Sequence, residues 1–137
     1  MKLLNRISNL FKKKGNMNDK KSRGDFGEDT ACKYIKKNGY KILGKNFRTK
    51  FGEIDLIGID NDTICFIEVK ARSSSDYGNP EEFVTKRKQE RLWKTASIYI
   101  DKNTHELENY RFDIISVDLE SEEIQIFKNA FQPEYSF

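Results

Sequence analysis

Gly52-Glu53-Ile54-Asp55-Leu56-Ile57, followed after a short polar turn by Phe66-Ile67-Glu68-Val69-Lys70, decides how this chain is read. Both stretches alternate apolar and polar side chains and are rich in β-branched residues, the pattern of strands. Asp60-Asn61-Asp62-Thr63 between them is turn-forming, so the two form a hairpin. With the turn centred on Asn61 and Asp62, Asp55 faces Glu68, Glu53 faces Lys70, Ile57 faces Phe66 and Ile59 faces Ile64. Side chains repeat every second residue along a strand. This register therefore gathers Asp55, Glu68 and Lys70 on one face and sends Ile54, Leu56, Cys65, Ile67 and Val69 to the other.

Carboxylates that face each other across a ladder repel, by roughly 0.2–1 kcal/mol on an exposed sheet and more when desolvated. Their neighbours on the same face, Ile57, Ile59, Ile64 and Phe66, are apolar, so the face is covered and the acids need a partner. A hard divalent cation is one: Mg²⁺ takes oxygen ligands, keeps several waters and needs only one or two protein carboxylates. Lys70 can reach the same spot to orient a water or to stabilise charge developing on a phosphate. The pattern alone equally describes a surface hairpin with a Glu53–Lys70 pair and no chemistry.

At 137 residues the chain has room for one domain with one core, and 36% hydrophobic content with only two prolines places it among folded rather than disordered chains. Cys32 and Cys65 make no disulfide framework, and the absence of a secretory signal or long apolar run points to a cytoplasmic protein. Cys65 reads as a core residue. His105, the one histidine, sits in a polar loop, which leaves histidine triads and zinc clusters little to draw on.

Charge is unevenly spread. Residues 1–24 carry eight lysines and arginines against one acid, and the remainder seventeen against twenty-one, so a +7 tail precedes a −4 body. The basic character thus gives no argument for a nucleic-acid-binding face on the body. Within the tail, Leu3, Leu4, Ile7, Leu10 and Phe11 recur at helical spacing among basic residues. Such a segment, residues 1–14, can lie on an anionic membrane surface, touch phosphates, cover an apolar patch or simply fray. Gly15 to Gly24 reads as a linker, which divides the chain into a tail of residues 1–24 and a domain of residues 25–137.

The domain opens with Asp25-Phe26-Gly27-Glu28, which resembles a capping box, and a helix follows to Asn38 with Gly39 as its stop. That helix buries Phe26, Ala31, Tyr34 and Ile35. Residues 40–47 form a strand, the hairpin occupies 51–59 and 63–71, and a second helix starts at Glu81 or Thr85 and runs to Asp101 with the stripe Gln89, Leu92, Ala96, Tyr99 and Ile100. Residues 110–119 and 124–127 are further strands, the last one short. The order α-β-β-β-α-β predicts an α/β fold with a mixed central sheet covered by helices on both faces.

Other residues have two readings each. Glu28 is either the capping partner of Asp25 or, if the first helix crosses the active face, a group within reach of the metal. Lys88 and Gln89 either point outward at the helix end or reach phosphate and water at the site. Arg72 continues the face of Lys70 as a phosphate contact or ends its strand in solvent. Lys86, Arg87 and Arg91 join them as a cluster suited to positioning phosphates. Asp113 either supports the site from an adjacent strand or is a strand-end charge.

Gly27-Glu28, Gly52 to Ile57, Phe66 to Arg72, Val84-Thr85 with Lys88-Gln89, Ala96, and Arg111-Phe112-Asp113 occur in an order that resembles the YraN family of uncharacterised bacterial proteins, over residues 24 to about 131. That family resembles the PD-(D/E)XK nucleases, Holliday junction resolvases in particular, whose restriction-endonuclease-like fold has an αβββαβ core. The resemblance implies a Mg²⁺- or Mn²⁺-dependent endonuclease acting on structured or branched DNA. It implies catalytic roles for Glu28, Asp55, Glu68 and Lys70, and a metal held by Asp55, Glu68 and the Val69 carbonyl. It also implies a nucleic-acid partner and a homodimer, since resolvases of this fold act as symmetric pairs. Ile54 stands where such nucleases often carry proline.

Overall fold

The computed structural model describes residues 20–73, 84–103, 106–121 and 123–133. Its elements are α1 (Lys20–Lys37), β1 (Lys41–Thr49), β2 (Gly52–Asp60), β3 (Thr63–Arg72), α2 (Lys86–Lys102), β4 (Asn109–Asp118) and β5 (Ile124–Phe131). The basic amphipathic segment of residues 1–14, most of the linker, the loop at 74–83 and His105 lie outside the described residues.

Local chemistry explains most boundaries. Gly39, at φ +91°, ends α1 as expected, with the Asn38 side chain donating to the Tyr34 carbonyl at 2.8 Å. Thr85 caps α2 by accepting the Lys88 amide at 3.2 Å, and Asn103 closes it by donating to the Tyr99 carbonyl from backbone and side chain. The start of α1 differs from expectation. The helix already runs from Lys20, so Asp25 is inside it rather than at a cap, and the residue 24/25 boundary falls within a helix. Gly24 and Gly27 are poor helix formers, but burial of Ser22, Phe26, Gly27 and Thr30 against the sheet holds the segment helical. Glu28 is therefore not half of a capping box.

The five strands lie in sequence order, all antiparallel except β3 and β4, which run parallel with α2 as their crossover. This is the mixed sheet and αβββαβ core anticipated for a restriction-endonuclease-like fold, with β5, longer than expected, added at the edge. On one face α1 sets Phe26, Ala31 and Ile35 over Leu56, Cys65, Ile67, Ile115 and Val117. On the other, Leu92, Ala96 and Tyr99 of α2 cover Ile54, Ile57, Ile64, Phe66 and Ile114. Tyr99 meets Phe47 and Phe66 edge-on, with ring centres 5.2 and 6.0 Å away. Both cysteines are buried and free, and burial pushes the Cys65 thiol up to about 12, as suits a core residue. Among the described residues no helix is long and apolar enough to cross a membrane.

The hairpin register is the expected one from Leu56↔Ile67 to Asp60↔Thr63. Beyond Leu56 the β2–β3 ladder stops, although β2 continues against β1 and β3 against β4. Asp55 and Glu68 thus do not occupy a ladder rung; they sit where the two strands part. Ile54 moves with the divergence and packs on the α2 face with Ile57, while Leu56 packs on the α1 face, so strict alternation fails at Asp55. The Glu53–Lys70 pair does not form either. Glu53 stands opposite Arg48 of β1 and pairs with it at 3.3 Å.

Candidate functional site

Where β2 and β3 part, each strand end has backbone groups without a ladder partner, and side chains take over. The Asp55 carboxylate accepts the Val69 amide at 2.8 Å, a bond that spans the fork in place of a backbone rung. Glu68, 6% exposed, lies beside it and is ion-paired to the Lys88 ammonium reaching over from α2. Burial first, and the neighbouring Glu68 second, raise the Asp55 carboxyl to about 8; the Val69 amide pulls the other way.

The α1 side of the fork is set by a missing methyl group. A Cβ on Gly27 would stand 2.5 Å from Cβ of Ala71, so the helix rests directly on β3. Glu28, next in the chain, thereby joins Asp55, Glu68, Val69, Lys70, Arg72 and Lys88 around a cleft of about 500 Å³. Burial, then Glu53 and Asp25, push the Glu28 carboxyl above its ordinary range. Asn46 works against this: its amide nitrogen, oriented to suit both neighbours, donates to Glu28 at 2.7 Å and to Glu53 at 2.6 Å. On the α2 side a second cleft, about 510 Å³, shares Asp55, Glu68 and Lys88 and adds Glu53, Arg87 and Arg91.

The fold therefore brings together Glu28, Asp55, Glu68, Val69, Lys70, Arg72 and Lys88, with Arg87 and Arg91 alongside. It does not bring in Lys86 or Gln89. Lys86 is exposed at the first position of α2 and lines neither cleft, and the Gln89 side chain turns back to donate to the Val84 carbonyl at 3.2 Å. Lys70 makes no ion pair with a described residue.

Sequence reading missed Asn46, and Lys20 and Arg23, which also line the first cleft. Asn46 had a signal, because asparagine is disfavoured in a strand interior, and its φ of +51° marks the irregularity that aims it. Lys20, Arg23 and Gly27 share helical spacing, but only for a helix known to extend upstream of Asp25.

The arrangement offers hard oxygen donors, the buried Glu68 and the partly buried Asp55 side by side, together with Lys70, which makes no ion pair among the described residues. Among the described residues no three histidine, cysteine, aspartate or glutamate side chains converge closely enough to hold a metal ion by themselves, so an ion here would rest on two carboxylates, a backbone carbonyl and waters. Mg²⁺ and Mn²⁺, which retain waters and accept one or two carboxylates, fit that donor set; zinc, which prefers a closed nitrogen and sulfur shell, does not.

Asp113 belongs elsewhere. It is neither beside the site nor at a strand end, but 1% exposed within β4, where Arg111 Nε donates to both its oxygens at 2.9 and 3.0 Å and the Asn129 amide adds a third bond at 2.8 Å. Arg111 also donates to Asp60 and to the Tyr40 hydroxyl, both at 2.8 Å, and Lys128 reaches Asp60 at 3.0 Å. A roomier cleft of about 700 Å³ near Arg111 and Phe131 lacks facing acids, so size does not mark the site.

A family model described as uncharacterised protein family UPF0102 matches residues 27–117, a span holding every group from Glu28 to Arg91. The chain belongs to that family. UPF0102 is the YraN group that the motifs resemble. A UPF0102 protein of Acetivibrio thermocellus is 46% identical over 127 residues, covering 87% of this chain and 98% of the relative. One from Clostridium botulinum strain Kyoto is 50% identical over 117 residues, covering 82% and 95% respectively. The family is described as uncharacterised, and these relatives are named for it and for no activity.

Proposed function

We propose that this protein is a metal-dependent endonuclease that hydrolyses phosphodiester bonds in structured or branched DNA. The observation that carries the reading is the fork: two carboxylates share a desolvated opening between strands, Asp55 bonded to the Val69 amide and Glu68 to Lys88, with further cationic side chains lining the clefts on both sides. Asp55, Glu68 and the Val69 carbonyl would hold Mg²⁺ or Mn²⁺. Bound there, the ion would polarise a phosphoryl oxygen and lower the pKa of a coordinated water.

The chain's own groups supply the rest. Lys70, on the strand of Glu68 and unpaired among the described residues, orients the attacking water and stabilises charge developing on the phosphate. Glu28, its carboxyl raised, accepts or relays a proton from water in the cleft. Lys88 can pass from Glu68 to a phosphate oxygen once the carboxylate is otherwise neutralised, and Arg72, Arg87 and Arg91 position the backbone. By analogy with junction resolvases, two copies would act on a two-fold junction.

The Lys88–Glu68 pair favours one second reading, a module that binds nucleic acid without cutting it, because that pair already compensates Glu68 without any metal. One experiment separates the two. Single-stranded, duplex, flap and four-way-junction DNA and RNA are incubated with the protein and millimolar Mg²⁺ or Mn²⁺. Cleavage that needs the ion and disappears in Asp55→Asn and Glu68→Gln supports the nuclease. Either variant retaining activity within about tenfold of wild type removes it.

A further inference from the structure

The fork opens onto a neighbouring surface that has no role so far. Gly52, Arg87 and Arg91 of the α2-side cleft also line an adjoining depression of about 580 Å³, bounded by Lys50, Phe51 and Lys94. Phe51 stands at the tip of the β1–β2 turn, half-buried, with the ammoniums of Lys50 and Lys94 5.2 and 5.3 Å from its ring centre. It belongs to neither core cluster.

The turn that presents this ring is braced. The Thr49 hydroxyl oxygen accepts the Phe51 amide at 3.1 Å and lies 3.2 Å from the hydroxyl of Thr95, which is fully buried and donates to the Arg91 carbonyl at 2.9 Å. Gly52 follows at φ +155°, a conformation side chains rarely adopt, and turns the chain into β2. The ring is thus fixed relative to α2. Along β2 it is four residues from Asp55, roughly 13 Å at about 3.3 Å per residue.

An aromatic face beside a cationic groove is how proteins hold an unpaired base and its flanking phosphates. Lys50, Arg87, Arg91 and Lys94 supply the cations, and Glu90, paired with Lys94 at 3.2 Å, is the one acid among the residues lining the depression. Magnitudes favour exchange of ammonium for base. An exposed cation–π contact is worth about two- to fivefold in binding. A base stacked on an aromatic side chain is worth roughly 5- to 150-fold, and each ammonium it displaces becomes available to a phosphate.

We propose that Phe51, with Lys50 and Lys94, is a stacking platform for an unpaired or splayed base of a nucleic-acid strand whose phosphates run along Arg87 and Arg91 to the fork. This rests on the nucleic-acid reading above. It narrows the substrate to strands that carry an unstacked base within a few nucleotides of the Asp55–Glu68 fork.

The test is binding of the full chain, in metal-free buffer at fixed salt, to a labelled single strand, a flap and a blunt duplex of matched length. Phe51→Ala should weaken the single strand and the flap at least tenfold and the blunt duplex less than threefold. Phe51→Trp should bind the single strand within threefold of wild type and show strand-induced quenching beyond that of Trp93, the chain's own tryptophan. Replacing Lys50 and Lys94 together by Gln should reduce the slope of log affinity against log salt by about 1.4, at about 0.7 per single-strand phosphate. Unchanged affinity in Phe51→Ala, equal losses on all three ligands, or no added quenching in Phe51→Trp would overturn the proposal. So would Phe51-dependent binding to phosphatidylserine vesicles in place of oligonucleotides. Should Phe51→Ala fail to fold, the quenching readout still decides. Because this binding is read without metal, failure of the separate cleavage assay with Mg²⁺ or Mn²⁺ would sink the nuclease and leave this result standing.

Discussion

Asp113 and Glu68 lie on adjacent parallel strands and are about equally hidden, 1% and 6% exposed, yet their surroundings differ in kind. Asp113 is closed off: one guanidinium takes both oxygens, a backbone amide takes another bond, and the same guanidinium ties in Asp60 and Tyr40. At the fork, Glu68 has the single ammonium of Lys88, whose side chain is 42% exposed, and Asp55 has an amide. Burial is common to both clusters. What separates them is completeness of compensation, and a closed cluster fastens the fold while an open one has capacity left for a ligand.

Removing the cation that closes the first cluster should give the largest effect. Arg111→Ala leaves Asp113 buried and unpaired and should cost about 3–5 kcal/mol in denaturant unfolding, with no recovery on adding divalent ions. A loss under about 1 kcal/mol would mean that the closed cluster is not what holds this end of the sheet.

Metal is the converse test. Ions binding only the folded fork should stabilise wild type by about 2.7 kcal/mol at a hundred times Kd, and leave Asp55→Asn and Glu68→Gln nearly unmoved. Melting curves with and without Mn²⁺ at constant ionic strength measure this. Superimposable wild-type curves would close the fork as a metal site.

The two clusters should also respond to pH with opposite sign. Asp55 has its folded pKa raised from 3.8 to about 8, so the folded metal-free protein binds more protons than the unfolded chain across that window. Its contribution favours folding at low pH and is lost as pH rises from about 4 to about 8. Asp60 is lowered, first by its hydrogen bond from Arg111, so its contribution is present above the unfolded carboxylate pKa and fades as pH falls through the folded value. Asp55→Asn, which keeps an acceptor for the Val69 amide and removes the charge, should therefore stabilise the metal-free protein by about 1–2 kcal/mol at pH 8. Asp60→Asn should destabilise it. Shifts of the same sign would erase the distinction.

The smallest effect concerns placement. Gly27→Ala must push α1 off Ala71, an overpacking cost partly offset by the better helix propensity of alanine, for a net loss of about 1 kcal/mol. Ala71→Gly should restore it. The shift should slow metal-dependent cleavage by displacing Glu28, while the Arg111 cluster stays intact.

How much of this was readable in the sequence depended on range. The hairpin and its register were legible because a period of two and an Asn-Asp turn are local facts. The fork was not: β2 and β3 part while β1 and β4 stay paired along their outer edges, and Ile54 lies on the α2 face, all of it long-range geometry that a local pattern does not encode. Placing Asp55 beside Glu68 succeeded even so, because both readings bring these residues together. The upstream start of α1 was hidden by two glycines that only packing makes tolerable. Arg111 and Asp113, two apart on one strand, did carry a local clue, since opposite charges at that spacing share a face.

The parallel pairing of β3 with β4 also governs when the site can first exist. Every candidate group from Glu28 to Arg91 has been synthesised before residue 109, where the partner strand of β3 begins. Until then β3 is an edge without Ile114 and Ile115 beside it, and Val69 is held only by the β2 hairpin and by the packing of α1. A nascent chain therefore carries the full set of reactive groups in an unassembled form, and non-local pairing of this type is slow to form. By chain order, the sheet that frames the fork is complete only once β4 has been made.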